Sequence, residues 1–243
     1  MWGSAMKFHI LSWGAWSPHY QHIAEWQAWP KTVLDVSTAA TAVPKLPQVP
    51  AMQRRRLSKL SKIFLDAVFQ SEPPQQCRSI FASQHGEINR TINLLNDIVD
   101  KSALSPTAFS QSVHNTASGI YSIISQNHAA STSIAAGSET FSQAFIEAYG
   151  LLVDDPKPIL LSYADDTLPD IYKPFASEPE WPLAVAFILA PCTTQQKTLA
   201  EINLCEQQPQ AVKLCLGQIL SSIALKQTIS GNYSGMHWSL SFE

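Results

Sequence analysis

Charge is scarce in this chain. Only 14% of its 243 residues are Asp, Glu, Lys or Arg, against 45% hydrophobic residues. That balance excludes disorder over most of the length, because disordered chains combine low hydrophobicity with high net charge. There is no basic excess either: the net charge is −3, which leaves no electrostatic footprint for nucleic acid. The one basic run, Arg54-Arg55-Arg56, reads as a solvated helix face, with a local anion contact as the alternative. Cysteine is limited to Cys77, Cys192, Cys205 and Cys215, with no C-x-x-C pair and no accompanying histidine cluster. This argues against a zinc motif and for buried apolar thiols in a reducing compartment. No apolar run reaches the length of a membrane span. Lys7, His9 and Ser12 interrupt the hydrophobic stretch that a secretory signal needs. Residues 1–5 read as a leftover segment, because a second start, Met6-Lys7, follows them. The expectation is a cytoplasmic protein without metal or cofactor, built as one domain over 6–243 with no interior linker or repeat.

The hydrophobic pattern predicts the elements. Residues 7–13 form a strand candidate, and the proline-rich 14–51 stretch is an irregular excursion with one short helix. Helical spacing predicts helices over 52–70, 87–101, 107–125, 139–152 and 198–227, the last broken at Pro209. Strands are expected at 77–83, 131–136, 157–164, 183–190 and 233–242. The near-continuous apolar runs at 157–164 and 183–190 suggest strands buried on both faces, and the alternation of elements argues for a layered α/β fold.

Residues 115–138 read NTASGIYSIISQNHAASTSIAAGS. This segment resembles the stretch of β-ketoacyl synthases that runs from an Asn-containing helix, through a glycine, into a strand ending at the nucleophilic cysteine. Asn115, Gly119, Ile123, Ser131, Ser133, Ile134 and Ala135 fall, without a gap, where ketosynthases have equivalent residues. Upstream, Arg55 and Leu57 to Leu60 resemble the helix after the family's variable N-terminal loop. The 157–164 and 183–190 segments resemble its next two strands, so the likeness covers about residues 7–190. The phrases SPTAFSQSVHNTASGI and AAGSETF are similar to short ketosynthase-N-terminal-like proteins of bacterial type II clusters for fatty-acid-like and aryl polyene products. The resemblance implies a thiolase-like layered α/β domain, corresponding to the N-terminal half of a ketosynthase and truncated relative to a full one.

Ketosynthase chemistry needs a thiolate whose pKa is lowered at a helix N-terminus, with backbone N–H groups there to stabilise the oxyanion. By ungapped comparison Ser138 occupies the cysteine position, and a serine hydroxyl needs an adjacent base. The family's two catalytic histidines come from a C-terminal half that this chain is too short to contain in full, and His237 lies in no recognisable ketosynthase histidine motif. The resemblance therefore implies a non-catalytic subunit, a chain-length factor, that pairs with an active β-ketoacyl synthase, shapes its acyl-chain tunnel and works with an acyl carrier protein. Asn115, Ser131, Thr132, Ser133, Ile134 and Ala135 are the implied dimer-interface residues. Thr116, Ile120 and Ile123 are the tunnel candidates, sharing a helix face at i, i+4 and i+7.

Other readings compete at particular residues. Ser138 could be a hydrolase or acyltransferase nucleophile with His85 or His114 as base. The plainer reading is an N-cap of the 139–152 helix, since no trailing glycine completes G-x-S-x-G. A homodimeric scaffold that binds carrier protein is a third possibility. Asn115 reads as a hydrogen-bonded buried amide. His85-Gly86-Glu87 offers too few ligands for a metal. Asp165-Asp166 reads as a strand end, with an acid–base pair as the alternative. Trp13, Trp16, Trp26 and Trp29 suit either a partner contact or a satellite core.

Overall fold

The computed structural model describes residues 5–30, 41–175, 181–193 and 195–242. The start segment expected to be a leftover, apart from Ala5, and residues 31–40 of the proline-rich excursion lie outside the described residues. Eight strands form one mixed sheet: β1 (Met6–Trp16), β2 (Arg78–Ala82), β3 (Ser131–Ile134), β4 (Ile159–Asp165), β5 (Leu183–Ala190), β6 (Ala200–Glu206), β7 (Ile229–Tyr233) and β8 (Met236–Ser241). Their spatial order is β3-β2-β4-β5-β1-β6-β8-β7. The β2–β3 and β2–β4 pairs are parallel and the remaining pairs antiparallel.

Among the described residues the helices are α1 (Ala51–Arg54), α2 (Lys59–Gln70), α3 (Ile88–Val99), α4 (Pro106–Ser110), α5 (Thr116–Ser125), α6 (Thr140–Asp154) and α7 (Leu216–Leu225), joined by 3-10 turns at Ile23–Ala28 and Lys173–Phe175. They cover the sheet on two faces and make two cores. One gathers Phe8, Phe145, Phe187, Trp238 and Ile219 against α6 and α7. The other gathers Ile63, Phe64, Phe81, Leu160 and Ile188 against α2 and α5. Strands β4 and β5 contribute to both cores, which explains their unbroken hydrophobicity. The approach of α2 to β1 is close enough that a Cβ at Gly14 would collide with the Ala67 carbonyl oxygen.

Several expected elements divide or change type. The 52–70 helix breaks at residues 55–58. Ser58 Oγ accepts from Ser61 N at 2.9 Å and starts α2 afresh, as a serine N-cap does. The 107–125 helix splits into α4 and α5, with His114 tied through Nε2 to the Ser83 carbonyl at 2.8 Å in the intervening bend. Residues 200–206 are a strand. Ala200, Ile202 and Leu204 are buried and alternate with half-buried Glu201, Asn203 and Cys205, the period of a half-buried strand and not of a helix. The final strand is the second arm of a hairpin, β7 and β8, turning at Ser234-Gly235. Strand β3 stops at Ile134, so Ala135 and Ala136 lie beyond it.

Candidate functional site

The segment between β3 and α6 is a tight elbow. Gly137 takes a φ of +57°, a left-handed conformation that costs glycine little. Thr140 stabilises the turn: its Oγ1 accepts from Ala136 N at 2.9 Å and donates to the Gly137 carbonyl at 2.7 Å. Thr140 is buried, whereas residues 135–139 are exposed. Ser138 is therefore not the N-cap expected from sequence. That position belongs to Glu139, which makes no side-chain cap bond, because the threonine one residue further on bonds the turn itself. Among the described residues the Ser138 hydroxyl makes no hydrogen bond. Its carbonyl accepts from Ser234 Oγ at 3.1 Å, and a Cβ on Gly235 would meet the Glu139 carboxylate at 2.8 Å. The tip of the β7–β8 hairpin thus lies against the elbow, where catalysis would require a base.

The imidazoles of His114 and His237 are engaged elsewhere, and the backbone of His85 is tied to Asp165. His114 Nε2 donates to Ser83 O. The His85 backbone N–H donates to Asp165 Oδ1 at 3.0 Å. His237 is buried on β8, with Nε2 3.0 Å from Ser230 Oγ and Nδ1 3.2 Å from Asn232 Oδ1.

Helix α5 and strand β3 form one surface beside the elbow. Ser118 Oγ lies 3.4 Å from Ser133 Oγ, and Ser79 Oγ donates to Ser131 Oγ at 3.1 Å. Among the described residues β3 is the edge of the sheet, paired only with β2. An edge strand presents unpaired backbone groups that can template another strand. The helix divides the tunnel candidates. Thr116 is buried, its hydroxyl donating to the Val113 carbonyl at 2.7 Å. Ile120, partly buried, packs against the core beneath α2 and α5. Ile123 is 72% exposed. Asn115 is exposed, not the buried amide expected, because it lies outside the turn that α5 buries. Ile98, Val99, Phe109 and Val113 on and around α3 and α4 are likewise exposed large apolar side chains.

The acidic residues singled out in sequence are structural anchors. Asp165 is buried and accepts from Ser83 Oγ and from the backbone N–H groups of Gln84 and His85. Burial pushes its carboxyl up in spite of these bonds. Asp166 pairs with Lys59 at 3.2 Å. Glu87 is buried and accepts from Ser58 and Ser61, and burial again raises its carboxyl above the ordinary value. The tryptophans belong to the core: Trp13, Trp16 and Trp26 are buried, and Trp26 stacks on Tyr20 at 4.8 Å. An aromatic cavity of about 430 Å³, bordered by Tyr20, Trp26, Trp29, Tyr163, Trp181 and Tyr233, lies at the start of α7. Phe141 packs on two of its walls, 5.3 Å from Tyr163 and 5.7 Å from Tyr233. Of the four cysteines expected to be buried, only Cys77 is. Cys192 and Cys205 are half-buried and Cys215 is exposed, because Cys205 takes an outward position on β6 and the other two sit outside strands and helices.

A crossed mixed sheet, helices on both faces and a strand–elbow–helix exposing a small polar residue define a thiolase-like, ketosynthase-type α/β fold. The sequence matches the family described as beta-ketoacyl synthase, N-terminal domain, over residues 26–239, and the chain belongs to that family. It is similar to a solved ketosynthase (ApeO) in complex with its chain length factor (ApeC) from Xenorhabdus doucetiae, with a TM-score of 0.77 and 24% identity over 97% of this chain and 99% of that one. It is also similar to the ishigamide ketosynthase/chain length factor, with a TM-score of 0.65 and 14% identity over 84% of this chain and 69% of that one. A third similar structure holds a type II acyl-carrier protein with its ketosynthase bound to the hexaketide, AntDE:AntF, with a TM-score of 0.58 and 12% identity over 85% and 71% of the respective chains. At these identities the likeness establishes a shared fold. No curated protein matches the sequence. Among the described residues no helix is long and apolar enough to cross a membrane.

Proposed function

We propose that the chain is a non-catalytic ketosynthase-like subunit, a chain-length factor. It pairs with an active β-ketoacyl synthase and shapes the acyl-chain tunnel in type II fatty-acid-like or aryl polyene biosynthesis, with the growing chain delivered by an acyl carrier protein. The observation that carries this reading is the elbow. Ser138 stands where the family places its nucleophile, yet among the described residues its hydroxyl makes no hydrogen bond to a base, and the Ser234-Gly235 turn lies against the elbow. A serine without a base is a poor nucleophile at neutral pH. What remains is binding and positioning. The β3 edge and the exposed Asn115, Gly119 and Ile123 face of α5 supply a surface for the partner. Ser131, Thr132, Ser133 and Ile134 of β3, with Ala135 just beyond it, are the proposed contact segment, and Thr116, Ile120 and Ile123, which α5 holds at different depths, are the proposed tunnel residues.

The test is co-expression with the ketosynthases of the same cell, followed by size-exclusion chromatography and mass spectrometry of the products. A stable heterodimer whose turnover depends on the partner's cysteine is expected. A monomer or a self-contained homodimer that ignores every ketosynthase would overturn the reading.

A further inference from the structure

Strand register gathers three metal-binding side chains that lie far apart in sequence. His9 on β1 faces Glu201 on β6 as a paired residue. On its other side His9 pairs with Ala190 at the end of β5, and the chain then runs on to Cys192. One ligating atom from each of His9, Cys192 and Glu201 lies within 4.8 Å of the other two, and all three residues are half-buried.

The hydrogen bonding around the cluster is incomplete. Glu201 Oε1 accepts from Asn203 Nδ2 at 3.0 Å and lies 4.0 Å from Lys7 Nζ. Its other oxygen, Oε2, faces His9 Nε2 at 3.7 Å, beyond the range of an N–H···O hydrogen bond. His9 Nδ1 and Asn203 Oδ1 are both buried without a hydrogen-bond partner, which is uncommon for buried polar atoms in folded proteins. A cavity of about 330 Å³, bordered by Lys7, Tyr149, Leu152, Pro191 and Cys192, reaches the cluster at Cys192; His9 and Glu201 do not line it.

We infer that His9, Cys192 and Glu201 form a binding site for one zinc-class divalent cation. Zinc binds nitrogen and oxygen at about 2.0–2.2 Å and thiolate sulfur at about 2.3 Å, so tetrahedral ligand atoms stand about 3.3–3.7 Å apart. The 3.7 Å between His9 Nε2 and Glu201 Oε2 is the spacing of two ligands sharing an ion. A thiolate and an imidazole select zinc, cobalt or copper over magnesium and calcium. Asn203 holds the carboxylate through its amide, as an outer-shell partner does, and its unpartnered Oδ1 or a water completes four ligands. Lys7 is the nearby competing cation. It is 57% exposed, so its ammonium can move into solvent. A bound ion would tie β1, β6 and the segment after β5 together where the C-terminal strands join the sheet.

Chelator-treated protein is titrated with zinc against a competing indicator, and with cobalt as the spectroscopic probe. One ion per chain and a thiolate-to-cobalt charge-transfer band are expected. Cys192→Ser removes the band, His9→Ala and Glu201→Gln each weaken affinity about tenfold or more, and Cys205→Ser leaves both unchanged. A second measurement needs no variant. In the unaltered protein, zinc should slow alkylation of Cys192, read by peptide mass spectrometry, while exposed Cys215 keeps reacting. A cobalt spectrum that lacks the band or keeps it in Cys192→Ser overturns the site, as does equal alkylation of Cys192 with and without zinc.

Discussion

Ile123 offers the sharpest test of the proposed partner surface. It lies on α5 beside the β3 edge with 72% of its surface exposed, on the same face as exposed Asn115 and Gly119. In the isolated chain, Ile123→Ala should change folding stability by no more than about 0.5 kcal/mol, as surface substitutions do. If a ketosynthase covers this face, the substitution acts on the complex instead. Full burial of an isoleucine is worth about 1.5–3 kcal/mol, and 72% of that is about 1.1–2.2 kcal/mol, or a roughly 6- to 40-fold weaker Kd. Val153 in the last turn of α6, 71% exposed and away from β3, serves as the control: Val153→Ala should bind like the unaltered chain. Isothermal titration of the purified ketosynthase with each variant reads the difference directly. Equal affinities for the Ile123 and Val153 variants would show that α5 does not face the partner.

Further outcomes follow from the same geometry. Ser138→Ala should leave turnover of the assembled complex within about twofold, because a serine without a base contributes no covalent step; loss of turnover with assembly intact would move the chemistry to this chain. Ile120→Ala should shift the product distribution toward longer chains, since each methylene accommodated in an apolar tunnel gains about 0.8 kcal/mol; unchanged products from an intact complex would remove Ile120 from the tunnel. Gly14→Ala forces a Cβ against the Ala67 carbonyl and should cost about 1–3 kcal/mol, as overpacking does, read as a fall in the urea midpoint. Burial raises the Glu87 carboxyl above its ordinary 4.5, so the folded chain keeps a proton that the unfolded chain has lost. The unaltered protein should therefore lose stability relative to Glu87→Gln as pH rises from about 4.5 to the raised folded pKa, and the gap should stay constant above it. Urea midpoints in parallel across that window would contradict it.

The sequence made some of this legible because burial leaves a local trace. The runs that became β4 and β5 are apolar on both faces because both cores need them, and no partner strand has to be known to see it. The elbow was legible through family resemblance, since Gly137 and the small residues before it satisfy a backbone requirement fixed by sequence position. Pairing leaves no such trace. Ala200, Ile202 and Leu204 alternate as a strand does, but Leu199, Ile202 and the apolar residues beyond Pro209 also fit a helical period, and only the ladders to β1 and β8 decide between them. β7 carries Gly231 and Asn232 and has little local strand character. It forms because Trp238 and Leu240 of β8 bury against α6 and α7 and hold its partner in place. The His9, Cys192 and Glu201 cluster has the same origin: no spacing rule joins residues brought together by antiparallel register.

The way the last strands join the fold bears on the proposed non-catalytic role. β6, β8 and β7 add to the far side of β1 in the same sheet, and their hairpin tip reaches the elbow with Ser234 and Gly235. Condensation requires a proton acceptor within hydrogen-bond reach of the nucleophile, and the Ser234 hydroxyl, which is not a base at neutral pH, does not supply one. That hydroxyl also accepts from Ser142 N at 3.3 Å, so the turn braces the first turn of α6 from both sides of the elbow. The hairpin thus stabilises the elbow's shape and leaves residues 135–139 exposed. An exposed elbow beside the edge strand is the surface that the proposed function gives to a docking partner. On the proposed function, the reacting thiolate belongs to the docked ketosynthase, and this chain contributes the wall.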